Sequence, residues 1–156
     1  MNGKFLKAKE VKKVLELLEK QWGFTKKLDY VWFLSNKQNL YIVNREFAHV
    51  DVSTLRISSF GMYFGEITMK NDVRLSIEGS QFVGAHATKH VLELDGEQVR
   101  QWMYGNDVTV ADTLLQGFYI LKHDTYYLGC GSCKEGVLTN FVPKNRRIKT
   151  LHSLVG

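Results

Sequence analysis

The chain has 156 residues, with 21 Lys+Arg against 16 Asp+Glu, a formal net charge of +5 and a sequence pI near 9.2. At 44% hydrophobic and 24% charged it has the composition of a folded chain, which excludes wholesale disorder, and no apolar run approaches the ~18 residues of a membrane span. Two cysteines exclude a disulfide scaffold; the opening Met1-Asn-Gly-Lys-Phe-Leu-Lys-Ala-Lys-Glu10 lacks an apolar signal core, so a cytoplasmic protein is expected.

Val11, Val14, Leu15, Leu18 and Trp22 recur at three- and four-residue spacing, with Lys9, Lys12, Lys13 and Lys20 off that stripe. This predicts an amphipathic helix over 7–22 that Gly23 stops. Short strands rich in aromatic and β-branched residues follow at 30–34 and 40–43, joined by the turn former Ser35-Asn-Lys-Gln-Asn39. Residues 44–50 read as a short helix and 52–58 as ambiguous, while 62–69 and 73–77 pair as a hairpin over Lys70-Asn-Asp72. At 78–84 the pattern weakens. A second series then opens: a strand at 91–94, a short helix over 97–104 closed by Gly105, and a strand at 108–110. A hairpin follows (118–122 with 126–130, over His123-Asp-Thr125), then strands at 137–142 and 148–151. One proline and short loops argue for close packing. The fold class is α+β in two small parts, 1–84 and 85–156, each too short to bury much core alone and so expected to pack on the other.

Cys130-Gly-Ser-Cys133 is the most suggestive chemical motif. A redox pair uses the first turn of a helix to lower its thiol pKa, whereas Glu135-Gly-Val-Leu-Thr-Asn-Phe-Val142 is strand-forming. The motif is therefore expected at a strand-to-strand turn with structural cysteines, and a redox- or metal-responsive role for Cys130 and Cys133 stands as the alternative. A zinc knuckle lacks its second ligand pair. His49, His86, His90, His123 and His152 fall in different elements; His86 and His90 could share a helical face, but no acidic residue completes a HExxH set. G-x-S-x-G, phosphate-loop and dinucleotide patterns are missing, so no catalytic residue, metal or cofactor is expected. The glycines of Gly61–Gly65 and Gly129–Gly131 read as strand bulges or close backbone approaches. A protein–protein scaffold docking through Tyr30-Val-Trp-Phe33 is a further alternative.

The charge is concentrated at the ends. Residues 1–27 hold eight Lys and three Glu, a net +5; residues 137–156 hold Lys144, Arg146, Arg147 and Lys149 with no acid, a net +4; the 109 residues between carry −4. Lys144-Asn-Arg-Arg-Ile-Lys149 follows Phe141-Val-Pro143, and Lys122-His123 lies on the preceding hairpin. Basic residues interleaved with aromatics suit phosphate contacts, although a wet surface strand has the same composition, and the N-terminal lysines equally supply the wet face a helix requires.

Arg74-Leu-Ser-Ile-Glu-Gly79, Val91-Leu-Glu-Leu-Asp-Gly-Glu-Gln-Val-Arg-Gln-Trp-Met-Tyr-Gly-Asn-Asp107, and Gly117-Phe-Tyr-Ile-Leu-Lys122 with Leu128-Gly-Cys-Gly131 together resemble a PUA domain. That small β-barrel, found in pseudouridine synthases and archaeosine transglycosylases, runs strand, short helix ending in Gly, strand, then a hairpin with a small-Gly step; Tyr104-Gly-Asn106 and Gly129–Gly131 occupy those positions. Upstream, Ser59-Phe-Gly-Met-Tyr-Phe-Gly65 is similar to a glycine-bearing strand in the pre-PUA α/β domain of Nip-seven-type ribosome-biogenesis factors. Asn140-Phe-Val-Pro-Lys-Asn-Arg-Arg147 resembles the C-terminal extension of Fmu/Sun-type RNA methyltransferases.

The resemblance covers most of 59–150 and implies a small α/β N-terminal domain packed on a C-terminal PUA-like β-barrel. Those methyltransferases carry a separate nucleotide-cofactor domain that this chain has no room for, so a non-catalytic module is implied. It would bind structured RNA, rRNA foremost, in ribosome biogenesis or as an accessory to rRNA modification, with other ribosome-assembly proteins as further partners and no membrane. PUA domains bind RNA on a glycine-bearing loop and adjoining strand, here 102–107 and the basic tail. Carried over residue by residue, the candidate RNA contacts are Arg100, Tyr104, Lys122, Lys144, Arg146, Arg147 and Lys149.

Overall fold

A computed structural model describes residues 2–47 and 61–149. The heptad-like stripe of the N-terminal segment forms helix α1 (Ala8–Trp22), which buries Val14, Leu18 and Trp22 and leaves its lysines outward. Glu10 accepts from the Lys7 backbone N–H at the first turn, and Gly23 (φ 66) ends the helix with its N–H on the Glu19 carbonyl, a left-handed stop that glycine adopts without strain. The first sheet is an antiparallel meander in chain order: β1 (Gly3–Phe5), β2 (Tyr30–Ser35), β3 (Asn39–Asn44), β4 (Met62–Ile67) and β5 (Val73–Leu75). Strand β1 was not anticipated; three residues carry no period, and its pairing with β2 places Phe5 on Phe33, ring centroids 5.4 Å apart.

That pairing corrects one expectation. Tyr30-Val-Trp-Phe33 is no docking surface, because Trp32 and Phe33 are both buried, on opposite faces of β2. Trp32 packs edge-on against Phe64 at 4.9 Å, and Phe33 lies under Phe5 and Tyr41. Alternation along a strand buries both when both faces are covered. The helix expected over 44–50 is a 3₁₀ turn at Arg45–Phe47, and the ambiguous stretch 52–58 lies outside the described residues.

The weak pattern at 78–84 conceals helix α2 (Ile77–Gly84). Ser76 caps it, its Oγ accepting from Gly79 N–H at 2.9 Å and donating to the Tyr63 carbonyl at 2.7 Å. Both glycines are there for close approach: a Cβ on Gly79 would run into the Phe64 carbonyl of β4, and one on Gly84 into the Tyr127 ring of the second sheet. No helix spans His86 and His90; the chain turns after α2 instead.

The second sheet comprises β6 (Val91–Glu93), β7 (Val108–Thr109), β8 (Gly117–His123), β9 (Tyr126–Lys134) and β10 (Val137–Thr139), in the order β6-β8-β9-β10-β7, with β6 parallel to β8. Helix α3 (Gly96–Met103) connects β6 to β7. Bulges fall at the glycines flagged in the sequence: Phe64 is the extra residue beside Gly65, and Leu128 the extra residue beside Gly129. Two expectations fail here. Strand β9 runs on to Lys134, so Cys130 and Cys133 lie within a strand and the turn is Glu135-Gly136. Ile148 and Lys149 are not in a strand, because Ile148 folds back to bond Met103.

The halves share a core, as their sizes required. Ile120 and Cys130 of the second sheet join Leu18, Trp22, Trp32 and Phe64 in one buried cluster, while Cys133 turns into a second with Leu94, Trp102, Val108, Leu121 and Leu138. We expect Gly84→Ala to lower stability by about 1–3 kcal/mol through overpacking, outweighing the ~1 kcal/mol that alanine gains in helix propensity. Denaturant unfolding should show a single shifted transition by both tryptophan fluorescence and far-ultraviolet dichroism; a loss confined to one probe would contradict the shared core.

Candidate nucleic-acid interface

Helix α3 is held at both ends. Asp95 accepts from Gln98 N–H at 2.8 Å while the Gln98 side chain returns to Asp95 N–H at 2.9 Å, a reciprocal cap. At the other end Tyr104 leads into Gly105, whose φ of +89 reverses the chain. Asn140 then ties the loop 102–107 to the strand leaving β10. Its amide donates to the Trp102 and Asn106 carbonyls at 2.8 and 3.0 Å, its backbone N–H donates to Asp107, and its side-chain oxygen accepts from Val142 N–H at 2.7 Å. These bonds end the β10 ladder at Thr139, short of the expected 142. Asn140 is a positioning residue that sequence reasoning passed over; an Asn directly before an aromatic-Val-Pro segment was its only signal.

After Pro143 a 3₁₀ turn (Lys144–Arg146) brings the chain back over α3. Arg147 donates from Nε to the Val142 carbonyl at 2.9 Å, with its guanidinium packed where a Gly105 side chain would otherwise stand, and Ile148 N–H reaches the Met103 carbonyl at 2.8 Å. Ile148 lines a small apolar depression with Val99, Arg100, Met103 and Tyr104. The tail is thereby laid against the end of α3. Of the seven candidate residues, Arg100, Tyr104, Lys144, Arg146, Arg147 and Lys149 fall in this one region, and Arg100, Lys144 and Lys149 are exposed. Among the described residues, Arg100, Lys144, Arg147 and Lys149 make no ion pair, whereas Arg146 is held by Glu78 of α2 at 2.6 Å. Lys122 stands apart: its ammonium lies over the Tyr127 ring, which packs on Gly84. The lysines of α1 (Lys9, Lys12, Lys13, Lys20) are exposed with Glu16 and Glu19 interleaved, as a wet helix face requires.

The cysteines have the opposite environment from a reactive pair. Burial pushes the Cys130 thiol up to about 12 and the Cys133 thiol up to about 11, and the two turn into separate core clusters. Among the described residues no group of three or more His, Cys, Asp or Glu side chains could hold a metal ion, and no helix is long and apolar enough to cross a membrane.

Residues 4–77 match the family described as NIP7/UPF0113, pre-PUA domain, and residues 89–148 match the family described as methyltransferase RsmF PUA domain. The chain is a pre-PUA domain followed by a PUA domain. The first sheet with α1 is thus the pre-PUA domain, the second sheet with α3 and the returning tail the PUA domain, and most of α2 lies between the matched segments. The chain is also 27% identical over 146 residues to the ribosomal RNA small subunit methyltransferase F of Aeromonas salmonicida (strain A449). The match takes in 91% of this chain but only 30% of that enzyme's length.

Because both thiols of the PUA sheet have folded-state pKa values above their unfolded value near 9, their contribution to stability is complete below pH 9 and is lost as pH rises toward 11–12. Chemical denaturation should show stability falling above pH 9, and Cys130→Ala should flatten that slope. Thiol reagents should label both residues slowly at pH 8 until denaturant is added; rapid labelling of the native protein would restore the redox alternative.

Proposed function

We propose that this chain is a non-catalytic RNA-binding module whose PUA domain grips structured RNA with the end of α3 and the returning tail. The observation that carries this reading is the fold-back of 144–149 onto α3, which gathers Arg100, Lys144, Arg147 and Lys149 around Tyr104 with no acidic partner among the described residues. Four cations on one region neutralise phosphates and release counterions, the main source of sequence-independent RNA affinity. Folded RNA duplex hides its major-groove base edges, so phosphate contacts and shape are what such a surface can read, with Tyr104 offering an aromatic edge beside them. Glycine at position 105 lets the RNA backbone and the Arg147 side chain approach the same turn.

The relative's identity as an rRNA small-subunit methyltransferase, together with the NIP7-type N-terminal domain, supports rRNA as the RNA class and ribosome assembly or rRNA modification as the setting. Ribosome-assembly proteins are the further partners this setting offers. The catalytic work of the relative belongs to a protein more than three times as long, which supports a binding rather than a catalytic role here.

Affinity for an rRNA hairpin, followed by fluorescence anisotropy between 50 and 200 mM salt, should fall steeply and log-linearly, as multiple phosphate contacts require. The triple substitution Arg100→Ala, Lys144→Ala, Lys149→Ala should weaken binding uniformly across hairpin sequences and reduce the salt slope by about 2–3, at up to about 0.9 per phosphate contact. Thermal stability should stay unchanged, since all three side chains are exposed. A flat salt response would sink the reading.

A further inference from the structure

Where β5 and the start of α2 face β9 and the segment 141–143, a cavity of about 210 Å³ stays open. Its walls come from both domains: Tyr63, Arg74 and Glu78 on one side, Trp102, Gly129 and Phe141 on the other. Trp102 is 0% exposed, yet its indole Nε1 has no hydrogen-bond partner. Buried indole N–H groups nearly always find an acceptor, so an unmet one calls for an explanation. The pyrrole edge of that indole faces Gly129. A Cβ on Gly129 would sit 3.7 Å from Trp102 Nε1 and Cζ2 and 3.7 Å from Ile77 Cγ1, so the glycine (φ +146) keeps open the space between the two side chains, both of which line the cavity. Trp22 Nε1 is also unpaired, but Trp22 belongs to the core of the first sheet and lines none of the cavities described.

The remaining lining supplies stacking faces and donors. Phe141 is 37% and Tyr63 38% exposed, and the Arg74 guanidinium lies 4.5 Å above the Phe141 ring. Arg74 is paired with Glu66 at 2.9 Å and Arg146 with Glu78 at 2.6 Å, so both carboxylates are engaged while guanidinium N–H groups remain. Ser76 Oγ is committed to the α2 cap. A pocket of aromatic faces and hydrogen-bond donors selects a flat ring with acceptors along its edge. Its volume, below the ~300 Å³ where drug-sized pockets begin, admits a single ring system.

We propose that this interdomain cavity receives the base of one unpaired pyrimidine of the bound RNA, uracil by preference, with a ring carbonyl accepting from Trp102 Nε1 and the base face against Phe141. The proposal rests on the RNA-binding reading above. Uracil presents two carbonyls to a donor-lined site, whereas the amino group of cytosine would face donors. Sequence-specific contacts to RNA are generally made in this way, to bases splayed out of a helix and stacked on aromatic side chains. The phosphates flanking such a base would lie toward Arg146 and the basic tail, so one RNA could occupy both.

The test uses the full chain and two probes: an rRNA hairpin carrying a single bulged uridine, and the same hairpin with an abasic site at the bulge. The uridine hairpin should bind about tenfold more tightly, the worth of one good buried hydrogen bond with its stacking. It should also shift the Trp102 indole N–H resonance, identified by its loss in Trp102→Phe, which the abasic hairpin should leave in place. Trp102→Phe and, independently, the half-exposed Phe141→Ala should each erase the preference while keeping the affinity for the abasic hairpin. Equal affinity for the two hairpins with an unmoved indole resonance overturns the pocket and leaves RNA binding standing. Failure of both hairpins to bind overturns the RNA reading, and the pocket with it.

Discussion

The structure depends on how closely α2 lies between two sheets. Gly79 sits directly on the Phe64 carbonyl of β4 and Gly84 on the Tyr127 ring of β9, approaches that a single methyl group would block. Two glycines in an eight-residue helix each cost about 1 kcal/mol in propensity. The gain is that two domains, neither large enough to bury a substantial core, close over one cluster containing Leu18, Trp32, Phe64, Ile120 and Cys130. The same docking sets Glu78 beside Arg146 and Ser76 beside Tyr63, and so fixes where the tail of the PUA domain meets the pre-PUA domain. Packing at the junction and geometry at the candidate site are therefore one constraint.

Much of this was legible where the signal is periodic. The stripe from Val11 to Trp22 marked α1 and its stop, the hairpins over 70–72 and 123–125 followed from alternation broken by turn residues, and the bulge glycines were recognisable as such. Helix α2 was hidden because its glycines, placed for contact rather than propensity, erase the helical pattern. The cysteine motif was misplaced because Gly129 and Gly131 suggested a turn, whereas in β9 they serve a bulge and the close approach of Leu138. The docking reading of Tyr30–Phe33 failed because a sequence cannot show that both faces of β2 are covered, one by Phe64 and the other by Phe5.

The candidate site was legible in composition more than in geometry. A +4 tail announces a polyanion partner, but its fold-back onto α3 depends on Asn140, Gly105 and the Arg147–Val142 bond, which no period encodes. The structure separates the seven candidates by role: six converge, Arg146 is tied into the domain junction, and Lys122 lies with Tyr127 elsewhere. The equally basic N-terminal segment is spread over an exposed helix face among acidic neighbours, which accounts for its lysines by solvation alone. Charge of equal size at the two ends thus has different physical content.

Photo-crosslinking measures that difference most directly. The full chain, irradiated with an rRNA hairpin carrying 4-thiouridine at an unpaired position and mapped by mass spectrometry, should give adducts within 141–149 and on Tyr63 or Trp102, on the two sides of the domain junction. Adducts confined to the α1 segment 9–20, with 141–149 unmodified, would contradict the account.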